Sequence, residues 1–283
     1  MPGSGSPTVR RRELGARLRE LRTDKGWTIE QVADQLRFSP SKVSRLENGY
    51  RGVSPRDIED LCDLYGIHGE PRQQLTELAA EGKRQAWWQS LNLPYSTYVG
   101  LEAAAASISD FGLGVVPGLL QTEDYARAVL DAFHPPLAPD VIEQRLAGRM
   151  GRQRLLGTDN PPRFEAIIEE GVLRRIGGTR TIMRAQLQHL LAISELAHVT
   201  IRVLPYEAGM PPVHNTKFII LSFPEATVPD VVFIEGISGL TADLYLGPGA
   251  GLEEYAEAFS AMRTMTASPE KSREIITAIT GSL

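Results

Sequence analysis

The 283-residue chain is long enough for about two domains and can bury a substantial core. With 42% hydrophobic and 23% charged residues it has the composition of a globular protein, and it lacks the run of about 18 apolar residues that a membrane span needs. The net charge of -5 combines a basic segment, residues 8–56 with a net charge of +6, with an acidic remainder. This asymmetry favours a head that contacts a polyanion and a body that does not.

The first residues and the single cysteine favour a cytoplasmic protein. Residues 1–12 are rich in Pro, Gly and Ser, end in arginines and have no apolar stretch behind them, so they do not form a secretory signal. Cys62 has no second cysteine to pair with, which agrees with a reducing compartment. The five histidines show no spacing typical of metal ligands, and we therefore predict neither a metal nor a cofactor.

Apolar spacing and capping residues predict five short helices in the basic head. Leu14, Leu18 and Leu21 recur on one helical face, and Gly26 marks its end. Thr28 and the pair Ser39-Pro40 are typical helix starts. The predicted helices cover residues 14–25, 28–36, 39–47, a stretch that follows Ser54-Pro55, and 70–81.

Two segments of the head, residues 26–33 and 39–49, resemble the Cro/lambda-repressor-like (XRE) helix-turn-helix family. The resemblance implies double-stranded DNA as a partner, a recognition helix in the major groove, and a homodimer that spans two half-sites. The sequence departs from the family pattern twice. Arg37 stands where the family often has Gly in the turn, and Ile29 stands where it often has a phosphate-contacting Gln, so that contact does not transfer.

The resemblance implies distinct roles for the polar residues of the head. Three positions face the bases, and Arg45 among them can bond the O6 and N7 atoms of guanine. The base-facing positions are Pro40, Ser41 and Arg45. The positions suited to phosphate are Thr28, Ser39, Lys42, Ser44 and Arg51. Thr28 and Ser39 would also cap helices, Lys42 has the alternative of a solvated lysine, and residues 10–12 form either a DNA-contacting arm or a disordered basic tail.

Arg22 and Glu47 form a predicted ion pair. The family pattern places the end of the first helix against the end of the recognition helix, which brings these two residues together. We expect a partly buried pair that sets the angle of the recognition helix, and therefore a role that is structural first.

Beyond residue 85 the sequence predicts an aromatic tether followed by an α+β domain. Helices are expected at residues 122–133, 140–156, 179–197, 252–266 and 268–279, and strands at 164–168, 199–204, 217–223, 231–234 and 240–246. The predicted fold class is a mainly α helix-turn-helix bundle plus an α+β domain with a small, mostly antiparallel sheet. The predicted layout is a disordered tail at 1–9, a DNA-binding domain at 10–84, the tether at 85–98, and a sensor, partner-binding and dimerisation domain at 99–283.

The body resembles the C-terminal domain of WhiJ-like, antitoxin-like actinobacterial regulators. The resemblance is carried by Val116–Thr122, Asp124–Arg127, Arg149, Arg152-Gln153, Gln186-Leu187, Val203–Pro205 and Gly209. It implies a DNA-binding transcriptional regulator whose body receives a signal from a small partner protein or a small-molecule effector. The alternative is an antitoxin that neutralises a small partner and binds DNA for autoregulation.

Two further interpretations concern the body. Four aromatic residues could line a pocket or partner groove or, alternatively, form an inter-domain core. They are Trp87, Trp88, Tyr95 and Tyr98. Glu169, Glu170 and Glu235 lie at predicted strand ends, as catalytic acids often do, but no metal, nucleophile or phosphate-loop motif accompanies them. We therefore expect no enzyme, and a DNA-targeted enzyme remains the third class.

Overall fold

A computed structural model describes residues 6–224, 228–234, 244–246 and 249–283. The chain divides into two compact units. The first unit contains residues 6–90 with Pro224 and Val228, and the second unit contains the remaining described residues. The division after Ser90 falls inside the segment 85–98 that was predicted as the tether. Within the described ranges, no helix combines the length and the apolar character that crossing a membrane requires.

The first unit is a bundle of α-helices around one apolar core. The helices are α1 Pro7–Asp24, α2 Ile29–Leu36, α3 Pro40–Glu47, α4 Pro55–Tyr65 and α5 Gly69–Glu81. The predicted N-caps Thr28 and Ser39 accept hydrogen bonds from the third backbone N–H of their helices. The core contains Leu14, Leu18, Val32, Val43, Leu46, Ile58 and Cys62. Four consecutive helix predictions in the head, from residue 28 to residue 81, are confirmed.

Helix α1 begins at Pro7, so residues 7–9 do not belong to a disordered tail and residues 10–12 are helical rather than disordered. Contact of these arginines with DNA stays a prediction. Ser6 caps the helix, and Pro7 fixes its first turn. Arg10 pairs with Glu13, and the Arg11 Nη1 donates to the Gly82 carbonyl over 3.2 Å. The missed indication was the Ser-Pro helix start, which also opens α3 and α4 at Ser39-Pro40 and Ser54-Pro55.

The turn between α2 and α3 places Arg37 in the left-handed region, with φ 55° and ψ 38°. This is the position at which the resembling family often has Gly. A residue with a Cβ loses roughly 1–2 kcal/mol in this conformation, whereas glycine adopts it freely at a cost of about 0.5–1 kcal/mol in chain entropy. The exposed Arg37 side chain offers no buried contact in return.

We expect Arg37→Gly to raise the free energy of unfolding of the first unit by up to about 1 kcal/mol, because it removes left-handed strain. Urea unfolding followed by tryptophan fluorescence measures this, since Trp27, Trp87 and Trp88 all lie in the first unit. Gly66→Ala is the matched control. Gly66 ends α4 at φ 68°, and a Cβ there meets nothing within 4 Å. The substitution therefore changes only the conformational energy of the left-handed backbone, and the free energy of unfolding should fall. Arg37→Gly lowering the unfolding midpoint would contradict the expectation.

The second unit is α+β, as predicted, and its sheet is mixed. Its helices are α6 Ser96–Glu102, α7 Glu123–Asp131, α8 Pro139–Gln153, α9 Glu170–Arg174, α10 Arg180–Ile193, α11 Ala250–Met265 and α12 Pro269–Ser282. Its strands are β1 Ser107–Gly112, β2 Arg163–Glu169, β3 Val199–Leu204, β4 Phe218–Ser222, β5 Val231–Ile234 and β6 Leu244–Leu246. Four of the predicted strands are thus present, and β1 is an addition. Of the predicted strand at 240–246, residues 244–246 form β6 and residues 240–243 lie outside the described residues.

Strand β1 joins a parallel half of the sheet to an antiparallel half. Among the described residues the strand order is β3-β2-β1-β4-β5-β6. The β1–β2 and β2–β3 pairs are parallel, and the three other pairs are antiparallel. Parallel neighbours need long crossovers, and here α7 with α8, and then α9 with α10, make the two connections. The sequence of β1, Ser-Ile-Ser-Asp-Phe-Gly, is poor in β-branched residues, which explains why it was not predicted.

Three glutamines hold the loop at residues 116–122, which carries much of the second resemblance. Gln121, Gln153 and Gln186 donate through their Nε2 atoms to four loop carbonyls over 2.6–3.1 Å. The accepting carbonyls belong to Val116, Gly118, Leu120 and Gln121. Because a buried carbonyl without a partner is costly, these side chains let an irregular segment lie inside the unit.

Candidate nucleic-acid interface

Helix α3 presents one polar face to solvent and buries the other. Val43 and Leu46 are each 2% exposed and pack in the core of the first unit. The three predicted base-facing residues, Pro40, Ser41 and Arg45, are all exposed. The Arg45 Nε donates to the Ser41 carbonyl over 3.1 Å, which lays the side chain along the helix surface. The face is therefore available to a groove, with the guanidinium at its centre.

The exposed starts of α2 and α3 bring two predicted phosphate-contacting hydroxyls to the surface. The Thr28 Oγ1 accepts from the Gln31 N–H, and the Gln31 Oε1 accepts from the Thr28 N–H, which completes a capping box. The Ser39 Oγ accepts from the Lys42 N–H over 3.2 Å. Helix N-termini carry partial positive charge and bind anions, so both caps can serve a phosphate while they stabilise their helices.

Lys42 connects the recognition helix α3 to α4, which the sequence did not predict. Its Nζ lies 2.7 Å from Asp57 Oδ1 and 3.3 Å from the centre of the Phe38 ring. Burial acts to raise the pKa of Asp57, but the hydrogen bonds from Lys42 and Ser54 outweigh it and lower the pKa below its ordinary value. The ammonium is thus already engaged within the head, and phosphate contact by Lys42 stays a prediction.

The two remaining residues predicted to contact phosphate, Ser44 and Arg51, lie in the last turn of α3 and shortly after it. Ser44 is half-buried, and its Oγ lies 3.3 Å from the Asn48 Nδ2. Arg51 is exposed. Between them the structure exposes 66% of Tyr50, an aromatic residue that sequence reasoning did not single out. The sequence did indicate that Tyr50 is exposed, because it follows the helix end and is not part of the repeating apolar pattern of the helix.

Arg22 and Glu47 lie together as a bidentate pair between α1 and α3. Arg22 Nε and Nη2 donate to the two Glu47 carboxylate oxygens over 2.7 and 2.9 Å, and Nη1 donates to the Trp27 carbonyl over 2.8 Å. The Glu47 side chain is only 2% exposed. The two helices meet closely because α1 has Gly15, where a Cβ would lie 2.5 Å from the Glu47 carbonyl oxygen.

A buried tyrosine lies beside this pair. Burial, and after it the Glu47 carboxylate, raise the pKa of Tyr65 to about 12. Its ring lies 6.2 Å from that of Trp27. The phenol therefore stays neutral at ordinary pH and adds no charge beside the Arg22–Glu47 pair.

The four aromatic residues predicted as a pocket or partner groove are divided between the two units. Trp87 and Trp88 lie in the first unit, whereas Tyr95 and Tyr98 lie in the second. Trp87 is 45% exposed, but Tyr98 is buried and stacks on Phe233 with ring centres 4.2 Å apart. The Tyr98 hydroxyl donates to the buried Glu102 carboxylate over 2.5 Å, so this side chain packs inside the second unit.

Of the three acids considered for catalysis, Glu170 is bound by groups of the protein itself. Glu170 accepts from Arg174 Nε over 2.6 Å and from the Tyr206 N–H over 3.1 Å. Burial raises the pKa of Glu169. Glu235 lies outside the described residues.

Comparison with known proteins separates the chain into two parts. A helix-turn-helix domain family matches residues 13–75, and the family described as a domain of unknown function (DUF5753) matches residues 95–278. The competence pilus inhibition repressor of Acinetobacter baylyi is 42% identical over 80 residues, which are 28% of this chain and 73% of the relative. The HTH-type transcriptional regulator AnsR of Bacillus subtilis is 31% identical over 83 residues, which are 28% of this chain and 72% of the relative. No solved structure matches the chain.

Proposed function

Because the chain belongs to the DUF5753 family and carries a helix-turn-helix domain, we propose that it is a sequence-specific transcriptional regulator whose second unit receives a protein or small-molecule signal. DNA binding through the first unit is supported by the domain match and by two relatives whose names are those of a repressor and a transcriptional regulator. The proposal assigns the chain no catalytic activity. It also places the protein in the cytoplasm, with the DNA.

The observation that carries the proposal is the exposed face of α3. Base readout needs side chains that project from a firmly held helix toward base edges in the major groove. Arg45 is exposed on α3, and the Arg22–Glu47 and Lys42–Asp57 pairs hold that helix from two sides. The basic segment that contains these helices supplies attraction to the phosphate backbone.

The size of the second unit supports a role beyond dimerisation. A helix-turn-helix dimer needs only a short interface, whereas this unit has its own mixed sheet and seven helices within the described residues. A signal changes DNA affinity only if it binds the DNA-competent and incompetent states differently, typically by about 1–3 kcal/mol. The homodimer and the WhiJ-like, antitoxin-like character remain part of the proposal.

Selection of binding sites from random duplex DNA with the full chain tests the proposal. We expect a motif with two half-sites about 34 Å apart, read by a homodimer. Light scattering of the protein–DNA complex then gives its stoichiometry. Recovery of no motif would overturn sequence-specific binding, and a single half-site bound by one chain would overturn the dimer.

We expect Arg45→Ala to relax base preference at one position of each half-site, because a bidentate arginine discriminates guanine by about 1–3 kcal/mol. Arg51→Ala, the comparison variant, should weaken all sequences alike and reduce the salt slope by about one. The same binding-site selection, repeated with both variants, measures the difference. An unchanged motif with Arg45→Ala would remove Arg45 from the base-reading set.

A further inference from the structure

One face of strands β1, β2 and β3 changes from apolar to polar along its length. Near their carboxyl ends this face carries Phe111 and Ile167, which belong to one core with Phe259 and Met262 of α11. Residues two apart on a strand share a face, so the same side continues toward the amino ends with polar residues. They are Ser107, Ser109, Arg163, Glu165, Thr200 and Arg202. Most of them line a cleft of about 330 Å³ beside Arg263, near the end of α11.

We name these lining residues the arginine cleft: the five polar strand residues other than Arg202, together with Arg263. Positive charge exceeds negative charge among them. The Glu165 carboxylate accepts from Arg202 Nε over 2.9 Å, and Arg263 Nη1 lies 3.7 Å from it. Arg163 lines the cleft and makes no ion pair within the described ranges. Arginine stays charged at any ordinary pH, so the two lining arginines, Arg163 and Arg263, face the single lining carboxylate of Glu165, which Arg202 already neutralises in part.

The cleft also offers hydroxyl donors that the protein itself does not use. Ser107 and Ser109 lie on β1 and Thr200 on β3, on either side of the β2 residues Arg163 and Glu165. All three hydroxyls are on half-buried residues, and in the described part of the chain none bonds to another protein group. These hydroxyls are therefore available to bind a ligand in the cleft.

We infer that the arginine cleft binds a small dianionic phosphomonoester. The excess of positive charge in the cleft favours an anion, and guanidinium forks match the geometry of phosphate oxygens. The hydroxyls supply further donors, and the cleft volume is at the lower end of the range for small-ligand sites. Binding of the phosphomonoester is inferred from the cleft alone. The role of this ligand as a signal rests on the proposed function.

Titration calorimetry of the full chain with ribose 5-phosphate, and with ribose as the uncharged match, tests the inference. We expect the phosphorylated sugar and inorganic phosphate to bind, and ribose not to. Arg163→Gln should weaken phosphate binding by at least about tenfold, the loss expected for a charge-assisted pair. Arg184→Gln, which removes another exposed arginine, on α10, should leave phosphate binding unchanged. Glu165→Gln should tighten binding, because it removes the opposing charge.

Three results would overturn the inference. They are the absence of binding of both phosphate probes, an equal weakening by Arg163→Gln and Arg184→Gln, and a loss of DNA affinity in Arg163→Gln with phosphate binding unchanged. The last result would assign the arginine to duplex DNA. DNA binding by the wild-type chain is then measured with and without saturating ribose 5-phosphate. Phosphate binding that leaves DNA affinity unchanged supports the cleft but removes this ligand as the signal of the proposed regulator.

Discussion

We expect Glu102→Ala to lower the free energy of unfolding of the second unit by about 3–5 kcal/mol, because it would leave the Arg152 guanidinium buried without its carboxylate. Arg152 Nε and Nη2 each donate to Glu102 over 2.7 Å, and the two side chains are 10% and 1% exposed. The Tyr98 hydroxyl donates to the same carboxylate, and burial raises the pKa of that phenol well above its usual range. No other acid lies close enough, among the described residues, to form an ion pair with Arg152.

Urea unfolding followed by far-UV circular dichroism measures this loss, with tryptophan fluorescence reporting the first unit separately. Glu143→Ala is the matched control. It is the same substitution, on α8, but its pair with Arg127 is exposed to solvent and should contribute little. Glu102→Leu combined with Arg152→Met should recover most of the stability, since apolar side chains replace both charges. Equal stability of Glu102→Ala and Glu143→Ala would show that the buried pair is not needed.

The helices of the first unit could be predicted because local chemistry decides them. Thr28, Ser39 and Ser54 each accept a hydrogen bond from a backbone N–H of the first turn. A polar residue ahead of a repeating apolar pattern was therefore sufficient to predict where each helix begins. The same rule, applied at Ser6-Pro7, would have found the start of α1. The tail was predicted there because residues 1–12 are rich in Pro, Gly and Ser and end in arginines.

Contacts between distant segments were not accessible from the sequence without a family pattern. Arg22 and Glu47 could be paired because the resemblance placed the two helix ends together. Lys42 and Asp57 are 15 residues apart with no pattern to join them, so the lysine was assigned to phosphate. In the second unit, β1 was missed because its pairing with β2 and β4, rather than its own β-propensity, makes it a strand.

The junction of α1 with α3 gives the largest expected effect in the head. We expect Arg22→Met to lower the free energy of unfolding of the first unit by about 3 kcal/mol, because it leaves the Glu47 carboxylate buried without its bidentate partner. The value lies at the low end for buried pairs since Arg19 Nε is 3.7 Å from the same carboxylate and compensates in part. The Trp27 carbonyl also loses its donor, the Arg22 Nη1. Urea unfolding followed by tryptophan fluorescence measures the change.

Arg72→Met is the control, because it removes an arginine of the same unit whose partner, Asp63, is exposed. The variant that combines Arg22→Met with Glu47→Leu distinguishes the effect of the pair on the stability of the first unit from its effect on the orientation of α3. It removes both buried charges, so it should regain stability, yet it also removes the link that sets the recognition helix against α1. We therefore expect its DNA affinity to remain below that of the wild type at a temperature at which both are folded. Wild-type DNA affinity in this double variant would show that the pair stabilises the head without orienting α3.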